Sequence, residues 1–240
     1  MSLPRARFVV ARLPGAGETF RLEGADAAHA RARRLSPGDS AVLVDGSGRE
    51  AEGPVADAGR GALEVRVARV VTTTPDPLPP IHILAAAVRP ERLSWIAEKS
   101  TELGAATLTI VVSERTQSER ASGSLASRLA RVVAEAAKQS ERARWPRVEG
   151  PVAFDQALAA APAGHRFLLD PRGEPFPAEL APRPTSLLVG PEGGWSEAEE
   201  RAAIAAGWAT ASLSAGKLRA ETAVVSALAL ARAALARGVH

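Results

Sequence analysis

Short apolar runs alternate with amphipathic stretches from about residue 81 to the end of the chain. Apolar runs of this length predict buried strands, and apolar residues three or four positions apart predict helices that bury one face. The predicted strands are residues 81–87, 107–112, 166–170, 186–189 and 210–213. The predicted helices are residues 90–103, 124–142, 154–161, 197–206 and 221–237. Strands and helices that alternate in this way predict an α/β fold, with a mostly parallel sheet covered by helices on both faces.

The first 72 residues have a different pattern, which predicts a small β-rich module. Strands are expected at residues 7–10, 41–44 and 63–70, and a short helix at 25–35. The dipeptide Asp45-Gly46 is a strong hairpin signal, since both residues tolerate the turn conformation. Four prolines among the nine residues 72–80 then predict a semi-rigid linker. We therefore expect domains at 1–72 and 81–240, joined by residues 73–80.

One stretch, TSLLVGPEGGWSEAEE at 185–200, joins an apolar run to a glycine-rich turn and a helix start. Ser196 is a good N-cap, and Glu199 stands at the position that completes a capping box. A strand that leads through glycines into a helix is typical of ligand-binding corners in α/β sheets. Four glutamates and no Lys or Arg between 183 and 201 favour a neutral or cationic ligand over a polyphosphate. A plain capped turn without a ligand is the alternative.

A second stretch, LSAGKLRAET at 213–222, precedes a nearly unbroken apolar helix. Together the two stretches resemble the signature of the bacterial 16S rRNA uracil-N3 methyltransferases, a family of the SPOUT superfamily. The shared features are the Gly-Pro-Glu-Gly-Gly loop at 190–194 and the Leu-Arg-x-Glu-Thr motif at 218–222. The segment KSTELG at 99–104 is also similar to the family. The chain departs from it at Ser214, where the family usually has glycine, and at Gly216-Lys217.

The resemblance implies a fold, a reaction and a cofactor. The fold would be a trefoil-knotted SPOUT sheet preceded by a PUA-like β-barrel that binds RNA. The reaction would transfer a methyl group from S-adenosylmethionine (SAM) to N3 of a uridine in 16S rRNA of the small ribosomal subunit. The residues expected to bind the cofactor are Leu169, Asp170, Pro171, Leu188, Val189, Gly190, Pro191, Glu192, Gly193, Gly194, Leu213, Ser214, Leu218 and Thr222.

Arg219 and Glu221, at the start of the last helix, are the candidate catalytic residues. A cation at a helix N-terminus opposes the helix dipole, so Arg219 is assigned to the substrate; Glu221 is also compatible with ordinary capping. The group that accepts the N3 proton is not evident from the sequence, and water or a backbone acceptor is open. The residues expected to contact RNA are Arg7, Arg31, Arg33, Arg34 and Arg115.

Composition sets limits on these hypotheses. The chain has 240 residues, a net charge of +3, no cysteine and four scattered histidines, so no metal site is expected. No signal peptide or membrane span is apparent, which predicts a cytoplasmic protein. The last helix is apolar nearly all round between Thr222 and Ala231 and therefore needs cover on every side, which predicts a homodimer.

Two other functions compete with this interpretation. A degenerate methyltransferase domain would leave a non-catalytic RNA-binding protein. A nucleotide-dependent enzyme could use Gly216-Lys217, but the stretch lacks the earlier glycine and the following Ser or Thr of a P-loop.

Overall fold

The computed structural model describes residues 6–59, 61–116 and 124–238. The chain forms two compact units, of which the first contains residues 1–75 together with 137–144. The second contains residues 76–136 and 145–240. Residues 137–144 thus group with the N-terminal unit, an assignment that the linear order of the sequence did not indicate.

The first unit is mostly β-structure. Its elements are β1 (Ala6–Val9), β2 (Thr19–Glu23), α1 (Gly24–Ala32), β3 (Ser40–Val44), β4 (Arg49–Ala58), β5 (Ala62–Arg66) and β6 (Arg69–Thr72). The strands run in the order β1-β3-β4-β5-β2, and β6 pairs with β4. The hairpin predicted at Asp45-Gly46 is confirmed: β3 and β4 pair antiparallel, and Gly46 has a φ of 86°. Phe8, Leu43 and Leu63 are fully buried in the core of this unit.

The second unit contains the alternating strands and helices. Its elements are β7 (Ile81–Ala86), α2 (Pro90–Glu102), β8 (Thr107–Val112), α3 (Leu125–Gln139), β9 (Arg147–Ala153), α4 (Phe154–Ala160), β10 (His165–Pro175), β11 (Thr185–Val189), α5 (Glu197–Ala205), β12 (Ala209–Ser212) and α6 (Ala220–Arg237). The strands form one sheet in the order β12-β10-β11-β7-β8-β9, and each pairing is parallel. The predicted parallel α/β sheet is therefore confirmed.

Helices cover both faces of this sheet because successive strand residues point to opposite sides. On one face Ile83 and Leu187 pack in a cluster with residues of α2, α3 and α6. On the other face Leu84 and Leu188 pack with residues of α4 and α5. β11 lies inside the sheet, and its five residues are all buried.

The pairing between β10 and β12 is irregular. Ala211 is the partner of both Leu169 and Glu174, so residues 170–173 leave the register while both flanking segments stay paired to β12. The backbones approach closely here, because a Cβ on Gly173 would lie 2.7 Å from the Ala211 nitrogen. Residues 170–173 thus interrupt β10, which was predicted to end at residue 170 but continues to Pro175.

Candidate active site

The glycine loop follows the carboxyl end of β11, where the sequence predicted a ligand-binding corner of the sheet. Gly190 and Pro191 follow the strand directly, and the Gly194 N–H donates to the Pro191 carbonyl at 2.9 Å. Gly194 has a φ of +73°, a conformation that glycine adopts without steric cost. Trp195 then turns inward and is only 3% exposed.

The capping box at the start of α5 is confirmed and extends to a third segment. The Ser196 hydroxyl accepts from the Glu199 N–H at 3.2 Å, and Glu199 Oε2 accepts from the Ser196 N–H at 2.8 Å. Glu199 Oε1 accepts from the Glu114 N–H at 2.8 Å, just beyond β8. The buried Glu199 carboxylate therefore fixes the loop after β8 against the start of α5.

A pocket opens between the ends of β10 and β11, the loop after β12 and the start of α6. Its empty volume is about 560 Å³, including solvent space at its mouth. The pocket is lined by Leu169, Asp170, Pro171, Val189, Gly190, Pro191, Gly194, Trp195, Leu213, Ser214, Gly216, Lys217, Leu218, Ala220 and Ala223. The two stretches singled out in the sequence thus contribute to one pocket at the carboxyl edge of the sheet.

Asp170 gives the pocket a fixed negative charge. Its carboxylate accepts two hydrogen bonds from the Arg172 guanidinium, both at 2.9 Å, and one from the Arg172 N–H at 2.7 Å. The hydrogen bonds from Arg172 hold the pKa of Asp170 below its ordinary value, and the charge of Lys217 acts in the same direction. Arg172 also pairs with Glu200. Asp170 is therefore an anion, and Lys217 places a cation in the same pocket.

The glutamates in the glycine loop and at the start of α5 bind other residues and do not line the pocket. Glu192 Oε1 accepts from Arg92 Nη1 at 2.6 Å, Glu200 pairs with Arg172, and Glu199 caps α5. These carboxylates are therefore neutralised or occupied by other segments of the chain and add little charge to the pocket. The anionic group that lines the pocket is Asp170.

Arg92 is a residue that sequence reasoning missed. It lies in the first turn of α2, and besides Glu192 it contacts Glu221, with Arg92 Nε 3.6 Å from Glu221 Oε1. Nothing in the sequence links it to positions about one hundred residues away, so only the fold could have revealed it. Trp195 was also missed, although a large aromatic directly after paired glycines was a usable signal.

Ten of the fourteen residues expected to bind the cofactor line the pocket. The four that do not are Leu188, Glu192, Gly193 and Thr222. Leu188 points to the other face of the sheet, into the cluster with α4 and α5. The Gly193 carbonyl accepts from Arg115 Nη1 at 2.6 Å, so Arg115 contacts the glycine loop. Arg219 is the exposed N-cap residue of α6, and Glu221 lies in its first turn.

The arginines expected to contact RNA in the first unit differ in exposure. Arg31 and Arg33 are exposed at the end of α1, and Arg34 follows them in the left-handed region with a φ of 57°. Arg7 is instead largely buried: it pairs with Glu50 and donates to the Glu141 carbonyl at 2.9 Å. Arg7 therefore joins β1 to Glu50 and to Glu141 within this unit.

Within residues 6–59, 61–116 and 124–238, no group of three or more His, Asp or Glu side chains is arranged to hold a metal ion. The helices of the same ranges are too short or too polar to cross a membrane.

Comparison with known proteins agrees with the geometry. Residues 74–232 match the family model of an RNA methyltransferase domain, and residues 22–68 match that of an RNA methyltransferase PUA domain. A ribosomal RNA small subunit methyltransferase E from Mycobacterium bovis is 34% identical over 233 residues, which is 92% of this chain and 88% of the relative.

Solved structures show the same likeness. A methyltransferase from Legionella pneumophila in complex with the bound cofactor SAM has a TM-score of 0.85 at 26% identity, covering 97% of this chain and 98% of its own. A ribosomal RNA small subunit methyltransferase E from Neisseria gonorrhoeae bound to SAM has a TM-score of 0.83 at 27% identity, covering 94% and 95% of the two chains. The chain therefore belongs to the ribosomal RNA small subunit methyltransferase E family, with the SPOUT fold and an N-terminal PUA domain.

Proposed function

We propose that this protein transfers a methyl group from SAM to N3 of a uridine in 16S rRNA of the small ribosomal subunit. The observation that carries the proposal is that both motif stretches line the same pocket at the carboxyl edge of the sheet. Family membership supports the methyltransferase activity, and the family resemblance supports the uracil-N3 position.

The residues present in the pocket fit SAM. Leu169, Leu213 and Leu218 offer apolar walls to an adenine ring, and backbone groups of the loop after β12 can read its edge. The Asp170 carboxylate suits the positively charged sulfonium and amino groups, and Lys217 suits the carboxylate. When bound, SAM supplies an electrophilic methyl group. We propose that the ten expected residues that line the pocket hold it and that Leu188, Glu192, Gly193 and Thr222 shape its surroundings.

Arg219 and Glu221 are the proposed catalytic residues. Arg219 is exposed beside the pocket-lining Leu218 and Ala220. Its carbonyl accepts from the Ala223 N–H, and its guanidinium makes no hydrogen bond or ion pair with the described part of the chain. Its guanidinium can therefore bind uracil oxygens, where negative charge develops as N3 loses its proton, or an RNA phosphate. Such preorganised donors commonly supply a large part of the rate enhancement.

We propose residues 1–72 as the RNA-binding domain, 81–240 as the methyltransferase domain and 73–80 as their linker. Exposed Arg31, Arg33 and Arg34 support RNA binding by the first domain, because guanidinium groups bind phosphates bidentately. Arg115, which follows β8 and contacts the glycine loop, is a further candidate contact. We also propose a cytoplasmic location, because the proposed substrate is ribosomal.

We further propose a homodimer through α6 and α2. These helices pack against each other, and they carry two of the exposed large apolar side chains, Leu230 at 41% and Trp95 at 39%. The sheet covers only one side of α6, since Ala229, Leu230 and Ala233 are exposed. Closed twofold dimers are the commonest soluble oligomers and would cover this side.

The test is a methylation assay with purified small subunits and, separately, free 16S rRNA, both from cells without this modification. Nucleosides released by digestion are identified by chromatography and mass spectrometry, and we expect 3-methyluridine. Another methylated nucleoside would overturn the uracil-N3 assignment. SAM binding by calorimetry without methyl transfer to either RNA would instead indicate a non-catalytic RNA-binding protein.

A further inference from the structure

Glu221 has one carboxylate oxygen held and one left without a partner. Its Oε1 lies 3.6 Å from Arg92 Nε, and its side chain is 15% exposed. Its Oε2 is buried and has no hydrogen-bond partner in the described part of the chain. A buried polar atom without a partner costs free energy, and such atoms in folded proteins call for an explanation.

Arg92 fixes the position of this carboxylate from a separate element. Its Nη1 donates to Glu192 Oε1 at 2.6 Å while its Nε faces Glu221, so one guanidinium joins α2, the glycine loop and the start of α6. Guanidinium groups are planar and hold two carboxylates in a defined geometry. The ion pair with Arg92 therefore restricts the positions that the unpartnered oxygen of Glu221 can take.

Glu221 adjoins the pocket. Ala220 and Ala223, on the same helical turn as Glu221, line it, and so do Pro191 and Gly194 on either side of Glu192. The charged group in contact with the Glu221 carboxylate is Arg92 from α2, which also pairs with Glu192 of the glycine loop. Arg219, the N-cap residue of α6, precedes Glu221 by two positions. The Glu221 carboxylate therefore lies directly behind the pocket wall formed by Ala220 and Ala223.

We propose that Glu221 Oε2 accepts the N3 proton of the target uridine and that Arg92 is the residue that positions it. The proposal rests on the proposed function. In the reaction the carbon–sulfur bond of the methyl donor breaks, the carbon–N3 bond forms and the N3–H bond breaks with its proton passing to Oε2. The products are methylated uridine, the neutral thioether and a protonated Glu221, which returns its proton to solvent.

The first experiment compares Glu221→Gln with Glu197→Gln in single-turnover assays on the RNA that the wild type methylates. Gln keeps the shape of Glu221 but cannot take up the proton, so we expect the rate to fall by at least about 10²-fold, the range for loss of a general base. Glu197 is the matched control, since it lies in the first turn of α5 with an 89% exposed side chain. Calorimetric affinity for SAM should stay within about twofold in both variants.

One change of substrate and one change of pH test whether Glu221 accepts the proton. RNA containing 5-fluorouridine has a more acidic N3–H, so it should restore much of the Glu221→Gln rate and change the wild-type rate little. Raising the pH should increase the Glu221→Gln rate by about tenfold per unit, because ionised uridine needs no acceptor. The wild-type rate should be nearly flat over the same range. A wild-type rate that rises equally steeply, or an unrescued variant, would overturn the proposal.

A double-mutant cycle tests the role of Arg92. Arg92→Met should lower the rate and Arg92→Lys should retain much of it, while Arg92→Met added to Glu221→Gln should lower it no further. Additive losses would show that Arg92 acts elsewhere. If the wild type forms no 3-methyluridine the proposed function fails; if it does and Glu221→Gln keeps the full rate, only the acceptor assignment fails.

Discussion

At the scale of single residues, Gly190 shows how tightly the pocket is built. A Cβ at this position would lie 3.1 Å from the indole of Trp195, which is itself buried. Valine would therefore push Trp195 or its own side chain into the pocket. We expect Gly190→Val to weaken SAM binding by at least about tenfold, since tenfold is about 1.4 kcal/mol and overpacking commonly costs more.

Calorimetric titration with SAM measures this change, and Gly61→Ala is the control. Gly61 has open space at its Cβ position and lies in the other unit. An unchanged Kd for Gly190→Val would mean that the cofactor does not occupy this pocket.

His82 makes a pH-dependent contribution to stability. Burial lowers its pKa below the ordinary value of 6.5, and the charge of Arg147 lowers it further, whereas Glu149 raises it. Between the lowered folded pKa and 6.5 the unfolded chain binds a proton that the folded chain does not. The free energy of unfolding should therefore fall as the pH drops below 6.5 and level off below the folded pKa.

Denaturant unfolding of the wild type and His82→Asn between about pH 5 and pH 8, the range in which histidine titrates, measures this change. Asn can keep a hydrogen bond to Thr107, which His82 Nδ1 contacts at 3.0 Å. The difference between the two proteins should shrink toward low pH. A difference independent of pH would exclude His82 as the titrating group.

At the scale of elements, Glu199 links the loop after β8 to the start of α5. Glu199→Ala would leave the N–H groups of Ser196 and Glu114 without their acceptors, so we expect a loss of about 3 kcal/mol of unfolding free energy. Ser196→Ala removes one cap and should cost about 1 kcal/mol. Chemical denaturation measures both, with exposed Glu197→Ala as the control. Equal costs for Glu199 and Ser196 would contradict the bridging role.

The elements of the second unit were largely predictable, because buried strands and amphipathic helices carry strong periodic signals. Strands with polar, half-buried residues were missed, among them β2, β9 and most of β4. The run at 63–70 was expected as one strand but divides into β5 and β6, since Val67 and Ala68 take backbone partners in different segments, Glu18 and Glu52. The alternation of apolar and polar residues carries no information on such changes of backbone hydrogen-bond partner.

The candidate site was predictable where it is contiguous in sequence. The glycine loop and residues 213–218 were identified from turn chemistry and family resemblance, and both line the pocket. Arg92 could not be found, because its contacts with Glu192 and Glu221 exist only once α2 lies beside α6. The knot expected from the family resemblance is likewise a property of chain threading, which no local pattern encodes.

At the scale of the whole molecule, RNA affinity should depend on the arginines at the end of α1. Reversing Arg31, Arg33 and Arg34 to Glu should weaken RNA binding and flatten its salt dependence by about 0.7 to 0.9 per lost phosphate contact. SAM affinity should not change. Filter binding over a salt series measures the slope, with Arg201→Glu as an exposed control on α5. An unaltered slope would mean that these arginines do not bind phosphate.

The proposed dimer depends on the exposed side of α6. Leu230→Glu places a charge there and should give a mass near the single-chain 24.9 kDa in light scattering, whereas the wild type should give twice that mass. Ile204→Glu makes the same kind of change at a 56% exposed position on α5 and should stay dimeric. A monomeric wild type that still methylates RNA would refute the dimer.

The pocket has a consequence for how the protein is made. All its lining residues fall between Leu169 and Ala223, and β12, whose Ala211 pairs with both Leu169 and Glu174, comes late in that interval. A nascent chain emerging from the ribosome would present the whole N-terminal unit's strands long before it could take up the methyl donor. Capacity for the donor thus arises only once residue 223 has been made, and incomplete chains that stop before this residue cannot compete for it.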